Sequence, residues 1–168
     1  NTLNNEVVMQ TKTLINENGN TIEDRIKVPP LFKRTTEGEQ SVGTYFRKLP
    51  LKKHPSKVLL FNGEEKQNQE AHVAVLMMDV GNQDLQQCAD AVMRLHAEYL
   101  FHQKMYASIS FNFTNGFKAN YDNWRAGKQI SVLGFATYRP THHSLLTDRA
   151  PYPVFFSNAS PCRNLYRS

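Results

Sequence analysis

"DLQQCADAVMRLHAEYLF", residues 84–101, decides how this chain is read, because it carries the clearest helical periodicity in it. Leu85, Cys88, Ala89, Val92, Leu95, His96 and Tyr99 recur at spacings of three and four, which predicts one buried face. Asp84 with Gln87 makes a capping-box pattern at the start, so a long helix is expected over 84–104. Cys88 falls on the apolar side as a small buried thiol. Another face carries Gln87, Asp90, Arg94 and Glu98, a ladder of charged and polar groups. On an exposed helix such i to i+4 pairs add only about 0.2–0.5 kcal/mol each. The ladder is either a solvated face or the wall of a site. In the second case Arg94 forks onto an anionic or polyhydroxyl ligand and Glu98 serves as acceptor or general base.

Outward from this helix, "KVLLFNG" (57–63) and "AHVAVLMMDV" (71–80) read as strands joined into a hairpin by the polar "EEKQNQE". "SISFNF" (108–113) reads as a third strand, with Ile109, Phe111 and Phe113 inward and Ser110, Asn112 and Thr114 on the other face. Asn115-Gly116 then turns the chain. Ser41 caps a short helix whose Val42, Tyr45, Phe46 and Leu49 share a face and which Pro50 ends, and Asp122 caps another that carries Trp124. The order strand, strand, helix, strand predicts an α+β fold. It consists of an antiparallel sheet of at least three strands, packed by the long helix and short helices. Residues 1–24, with six Asn, lack periodicity and read as a linker or N-terminal edge. Residues 25–130 form the expected single domain.

The chain of 168 residues is 40% hydrophobic and 11% aromatic, enough for one real core. No apolar run reaches the roughly 18 residues of a membrane span. It begins at Asn1 rather than Met, which implies trimming by a signal peptidase or an experimenter. The formal charge is +5, but it is unevenly spread. Residues 1–130 hold 16 Lys+Arg against 14 Asp+Glu, whereas residues 131–168 hold 4 against 1. A nearly neutral body argues against a nucleic-acid partner. The last 38 residues also hold four Pro and four Arg with no Lys, an abrupt shift that marks them as a loop-rich or non-native end. Cys88 and Cys162 make neither a disulfide framework nor a zinc site, and His142-His143 lacks a second ligand pair, so no metal and no cofactor is expected.

Three ordered blocks, "VGTYFRKLPLKKHPSKVLLFNGEEKQNQ", "DLQQCADAVMRLHAEYL" and "ISFNFTNGFKANYDNWRAG", resemble a bacterial family catalogued as a domain of unknown function and described as lipoproteins. The resemblance runs from about Ile26 to Gly127. It implies export to the cell envelope, in the periplasm or on the outer surface, with membrane contact only through a lipid anchor outside this chain. It implies no established reaction. The family pattern sets Arg94 and Glu98 in an Arg-Leu-basic-Ala-Glu-Tyr-Leu run, which His96 meets loosely, and this favours the ladder as a site.

The leading reading is therefore an exported domain binding a glycan or envelope polymer, with Arg94, Glu98, Asp90, Asn112, Trp124 and Arg47 as the candidate site residues. Trp124 can stack on a sugar ring or pack in the core. The alternative is a polysaccharide or cell-wall hydrolase with Glu98 as acid or base, helped by Arg94, since such enzymes need only two acids brought together by the fold. Asp79 and Asp84 are the other acids to test. The basic stretch "FRKLPLKKHPSK" (46–57) reads either as a solvated loop or as a contact for phosphate or anionic polymers.

Overall fold

A computed structural model describes residues 14–80, 88–113, 116–133 and 135–140. The chain groups into two compact units that divide between Gln83 and Asp84, and each is described by itself.

The first unit is organised around residues 50–52. The Leu51 N–H donates to Asn20 O at 2.8 Å, the Lys52 N–H to Val75 O at 2.8 Å, and the Met77 N–H to Pro50 O at 2.8 Å. Antiparallel bridges Thr21 to Pro50 and Leu51 to Leu76 complete the arrangement, which buries Leu51. Ahead of it, residues 14–27 close on themselves through Asn16 N–H to Arg25 O and Lys27 N–H to Leu14 O, both 2.8 Å. The loop contains helix α1 (Ile22–Arg25), whose cap is Thr21. The Thr21 hydroxyl accepts from the Asp24 N–H at 3.2 Å and donates to the Asp24 carboxylate at 2.7 Å. Helix α2 (Val42–Arg47) starts where the sequence predicts, with Ser41 Oγ accepting from the Thr44 N–H at 3.1 Å.

The expected hairpin between 57–63 and 71–80 is not formed among the described residues. Segment 71–80 turns instead to residues 50–52, and 57–63 folds back on its own continuation, with Leu60 N–H to Glu64 O at 2.7 Å and Lys66 N–H to Val58 O at 3.0 Å. The cause is the pair Asn62-Gly63, which sits inside the predicted strand. Gly63 takes φ 85°, open to glycine at no steric cost, and its N–H closes a turn onto Leu60 O at 3.0 Å.

The second unit contains helix α3 (Cys88–His102), a 3₁₀ turn (Tyr106–Ser108), strand β1 (Ser110–Asn112), strand β2 (Lys118–Asn120), helix α4 (Tyr121–Arg125), strand β3 (Lys128–Leu133) and strand β4 (Phe135–Pro140). The strands pair in twos, β1 with β2 and β3 with β4, both antiparallel, so among the described residues two hairpins stand where a sheet of three or more strands was expected. The fold is mixed helix and sheet. Gly116, at φ 82°, bonds back to Phe113 O and returns β1 directly into β2. Helix α4 is capped by Asn120 rather than by the expected Asp122. The Asn120 Oδ1 accepts from the Asp122 N–H at 2.9 Å and from the Asn123 N–H at 3.4 Å.

Ala97 and Leu100 of α3 join Ile109, Phe111, Phe113, Ala119 and Tyr121 in one buried cluster, so the alternation read from 108–113 holds. The facing of α3 does not. Val92 is 67% exposed and Ala89 and His96 are exposed, while Asp90 (2%) and Arg94 (7%) are buried in line with Ala97 and Leu100. The helix packs on its charged ladder. Arginine allows this because its long aliphatic stem packs like a hydrophobe while the guanidinium meets a partner. The predicted cap residues Asp84 and Gln87, as well as Leu85, Thr114, Asn115, His142, His143 and Cys162, lie outside the described residues, and so does the side chain of Cys88.

The helix ends with Lys104 at φ 58°. The Met105 N–H bonds to Leu100 O and the Lys104 N–H to Phe101 O, both at 2.9 Å, a left-handed stop in which lysine stands where glycine is cheapest.

Candidate functional site

Gly19 is buried, and a Cβ built on it would stand 2.4 Å from the Arg25 nitrogen and 2.5 Å from the Asp24 carbonyl carbon. Only glycine allows that approach. It brings the Gly19 carbonyl onto the guanidinium of Arg25, which donates to it from Nε at 3.0 Å and from Nη2 at 2.7 Å. Nη2 also reaches Lys52 O at 3.2 Å. Arg25 is 1% exposed, and no carboxylate among the described residues is within ion-pair distance of it. Its charge is met by carbonyl dipoles alone, and its Nη1 bonds to no described group. A buried cation without a counter-charge carries a desolvation cost of several kcal/mol that main-chain carbonyls offset only in part.

Arg25 lines a cavity of about 200 Å³ together with Lys52, Lys53, His54, Lys57 and His72, and no acidic side chain is in the lining. Lys57 is already paired with Glu65 at 2.6 Å, and His54 lies 3.6 Å from Glu17. Lys52 and Lys53, like Arg25, have no carboxylate at ion-pair distance among the described residues. The ring of His72 adds a second unmet group. Its Nε2 lies 2.9 Å from Ser56 O, a pure acceptor, so Nε2 carries the proton in the neutral ring. That leaves Nδ1, buried and without a hydrogen-bond partner among the described residues. A buried polar atom without a partner beside a cavity is the usual mark of a ligand or water position. At this volume the cavity suits a phosphate, a carboxylate or one sugar unit rather than a drug-sized ligand.

The residues singled out from sequence fall in both units. Arg94 donates from Nε to Glu98 Oε1 at 3.4 Å on the inner side of α3, with Asp90 one turn earlier. Asp90 and Arg94 are both engaged by neighbours. Trp124 is half-buried and packs on the core cluster, whereas Asn112 is exposed on β1 opposite Lys118. Arg47 lies in the first unit, donating to Thr35 O at 2.9 Å and Thr35 Oγ1 at 2.8 Å, with Glu37 at 3.9 Å. Asp79 is exposed in that unit too, and none of these residues lines the cavity. Among the described residues no three His, Cys, Asp or Glu stand close enough to hold a metal ion.

Four of the six basic side chains in the cavity lining, Lys52, Lys53, His54 and Lys57, come from the basic stretch 46–57, but Arg25 and His72 were missed in sequence. The signal for Arg25 was the Thr21-x-x-Asp24 cap just after Asn18-Gly19, which places a helical turn and a glycine contact side by side.

A family model described as domain of unknown function (4846) matches residues 22–156, which takes in both units, contains the cavity residues and extends beyond the span of the three quoted blocks. No curated protein and no solved structure matches the chain.

Proposed function

We propose, taking as premise that the chain belongs to the family of domain of unknown function 4846, that it is an exported, envelope-associated domain that binds an acidic glycan or polymer through the Arg25 cavity. The observation that carries this reading is a buried guanidinium, without a carboxylate partner among the described residues, opening with Lys52 and Lys53 onto one concavity. A phosphate or carboxylate on the ligand supplies the missing counter-charge, and a neighbouring hydroxyl can donate to His72 Nδ1. The lysines draw the anion in, and Arg25, fixed by two carbonyls, orients it.

The test is calorimetric titration with a phosphorylated oligosaccharide and with its neutral parent. Binding of the phosphorylated form alone, weakened about tenfold in Lys52→Gln/Lys53→Gln and weakened by added salt, is expected. Equal binding of both sugars, or none, sinks the reading.

A second reading, a polysaccharide hydrolase with Glu98 as acid or base, draws support from the inward turn of Asp90 and Arg94 beside the half-buried Glu98. Reducing-sugar release abolished by Glu98→Gln would support it, and release indifferent to that change would remove Glu98 from the role.

A further inference from the structure

Residues 27–34, "KVPPLFKR", carry a second feature that the cavity does not use. The Phe32 N–H bonds to Pro29 O at 3.1 Å, which makes 29–32 a tight turn, and the Arg34 guanidinium donates to Ile26 O and closes the loop at its base. Leu31 stands at the crest with φ 69°, a conformation that a side chain with a Cβ rarely adopts. It is also fully exposed, and Phe32 beside it is 70% exposed. A glycine or asparagine there would relieve the backbone, and any polar residue would relieve the hydration. The turn keeps both costs, and no packing within the described chain offsets either.

We propose that this turn is an interfacial tip that seats Leu31 and Phe32 among the acyl chains of an anionic membrane surface. Three properties fit a bilayer. The apolar run from Val28 to Phe32 is unbroken by any polar side chain and is flanked by exposed Lys27, Lys33 and Arg34, at the level where lipid phosphates lie. No carboxylate among the described residues lies at ion-pair distance from these three cations. Pro29 and Pro30 have no N–H, and that of Phe32 is bonded, so within the 29–32 turn Leu31 alone keeps an N–H without a hydrogen bond among the described residues, which lowers the cost of entering a medium that cannot solvate it. This contact is separate from the lipid anchor that the family resemblance implies.

Co-sedimentation of the full chain with phosphatidylcholine vesicles, with and without phosphatidylglycerol, tests it. The expected result is binding that needs phosphatidylglycerol and falls on the order of tenfold or more in Leu31→Gly/Phe32→Ser. Leu31→Gly alone is expected to raise the melting temperature while weakening binding, which separates the tip's role from any role in folding. No sedimentation with anionic vesicles, as for a tip that grips a protein instead, overturns the proposal. So does equal binding by the double variant, and equal binding to both vesicle types overturns the anionic requirement.

Discussion

Helix α3 and the closed loop of residues 14–27 stand at opposite ends of regularity. The helix has a clear period and a charged stripe, yet its stripe is packed inward, with Val92 left in solvent. The loop has no period at all, yet it delivers Arg25 to a cavity with sub-ångström demands on Gly19. Periodicity reports that an element exists; which side is buried depends on what it meets. Chemistry assembled by main-chain carbonyls leaves almost no trace in composition.

The largest effect that can break this comparison is on α3. Arg94→Ala removes a buried charge and leaves its neighbours unpaired, with an expected loss of about 3–5 kcal/mol in urea unfolding. Val92→Asp on the same helix should change stability by less than about 0.5 kcal/mol. If Val92→Asp proves the more damaging, the helix packs on its apolar stripe after all.

Next comes the loop. Gly19→Ala forces a methyl against the Arg25 and Asp24 backbone, so a loss of about 2 kcal/mol or more is expected, together with loss of anion binding in the calorimeter. A stable Gly19→Ala protein that still binds would detach the cavity from the loop that is said to build it.

A smaller effect concerns the second unit's core. Burial pushes the Tyr121 phenol above its usual 10.0, partly opposed by Arg125. Below 10.0 both folded and unfolded chains keep the proton; above it the unfolded chain loses its proton first, so stability falls as pH rises from 10.0 through the raised value. Tyr121→Phe should flatten that part of the pH dependence of the melting temperature, and an unchanged slope would assign it to other groups. The smallest is Lys104→Gly, which relieves the left-handed stop of α3 and should add about 0.5–1 kcal/mol.

Parts of this were legible in the sequence because they are local. Ser41 caps α2, and Ile109, Phe111 and Phe113 alternate into the core as strand geometry requires. The pairing of strands was not, because a two-residue signal, Asn62-Gly63, was outweighed by the apolar run around it. The lysines of the cavity were visible only as a basic loop, since their meaning depends on Arg25 and His72, which are brought from 27 residues before Lys52 and 16 residues after Ser56. The ladder was visible as a face but not as a buried one, because an i to i+4 spacing is the same inside a protein as on its surface.

The staple at residues 50–52 has a thermodynamic consequence. Its neighbours, residues 20–21 and 75–77, are far apart in the chain, and the cavity walls come from stretches next to them in sequence, Arg25 on one side and residues 52–57 and 72–75 on the other. An unfolded chain therefore presents no site, and any anion that fits acts as a folding partner. At a hundred times its Kd such a ligand adds about 2.7 kcal/mol to the first unit. Heat alone can then sort candidate acids, because the right one announces itself by the temperature at which this unit melts.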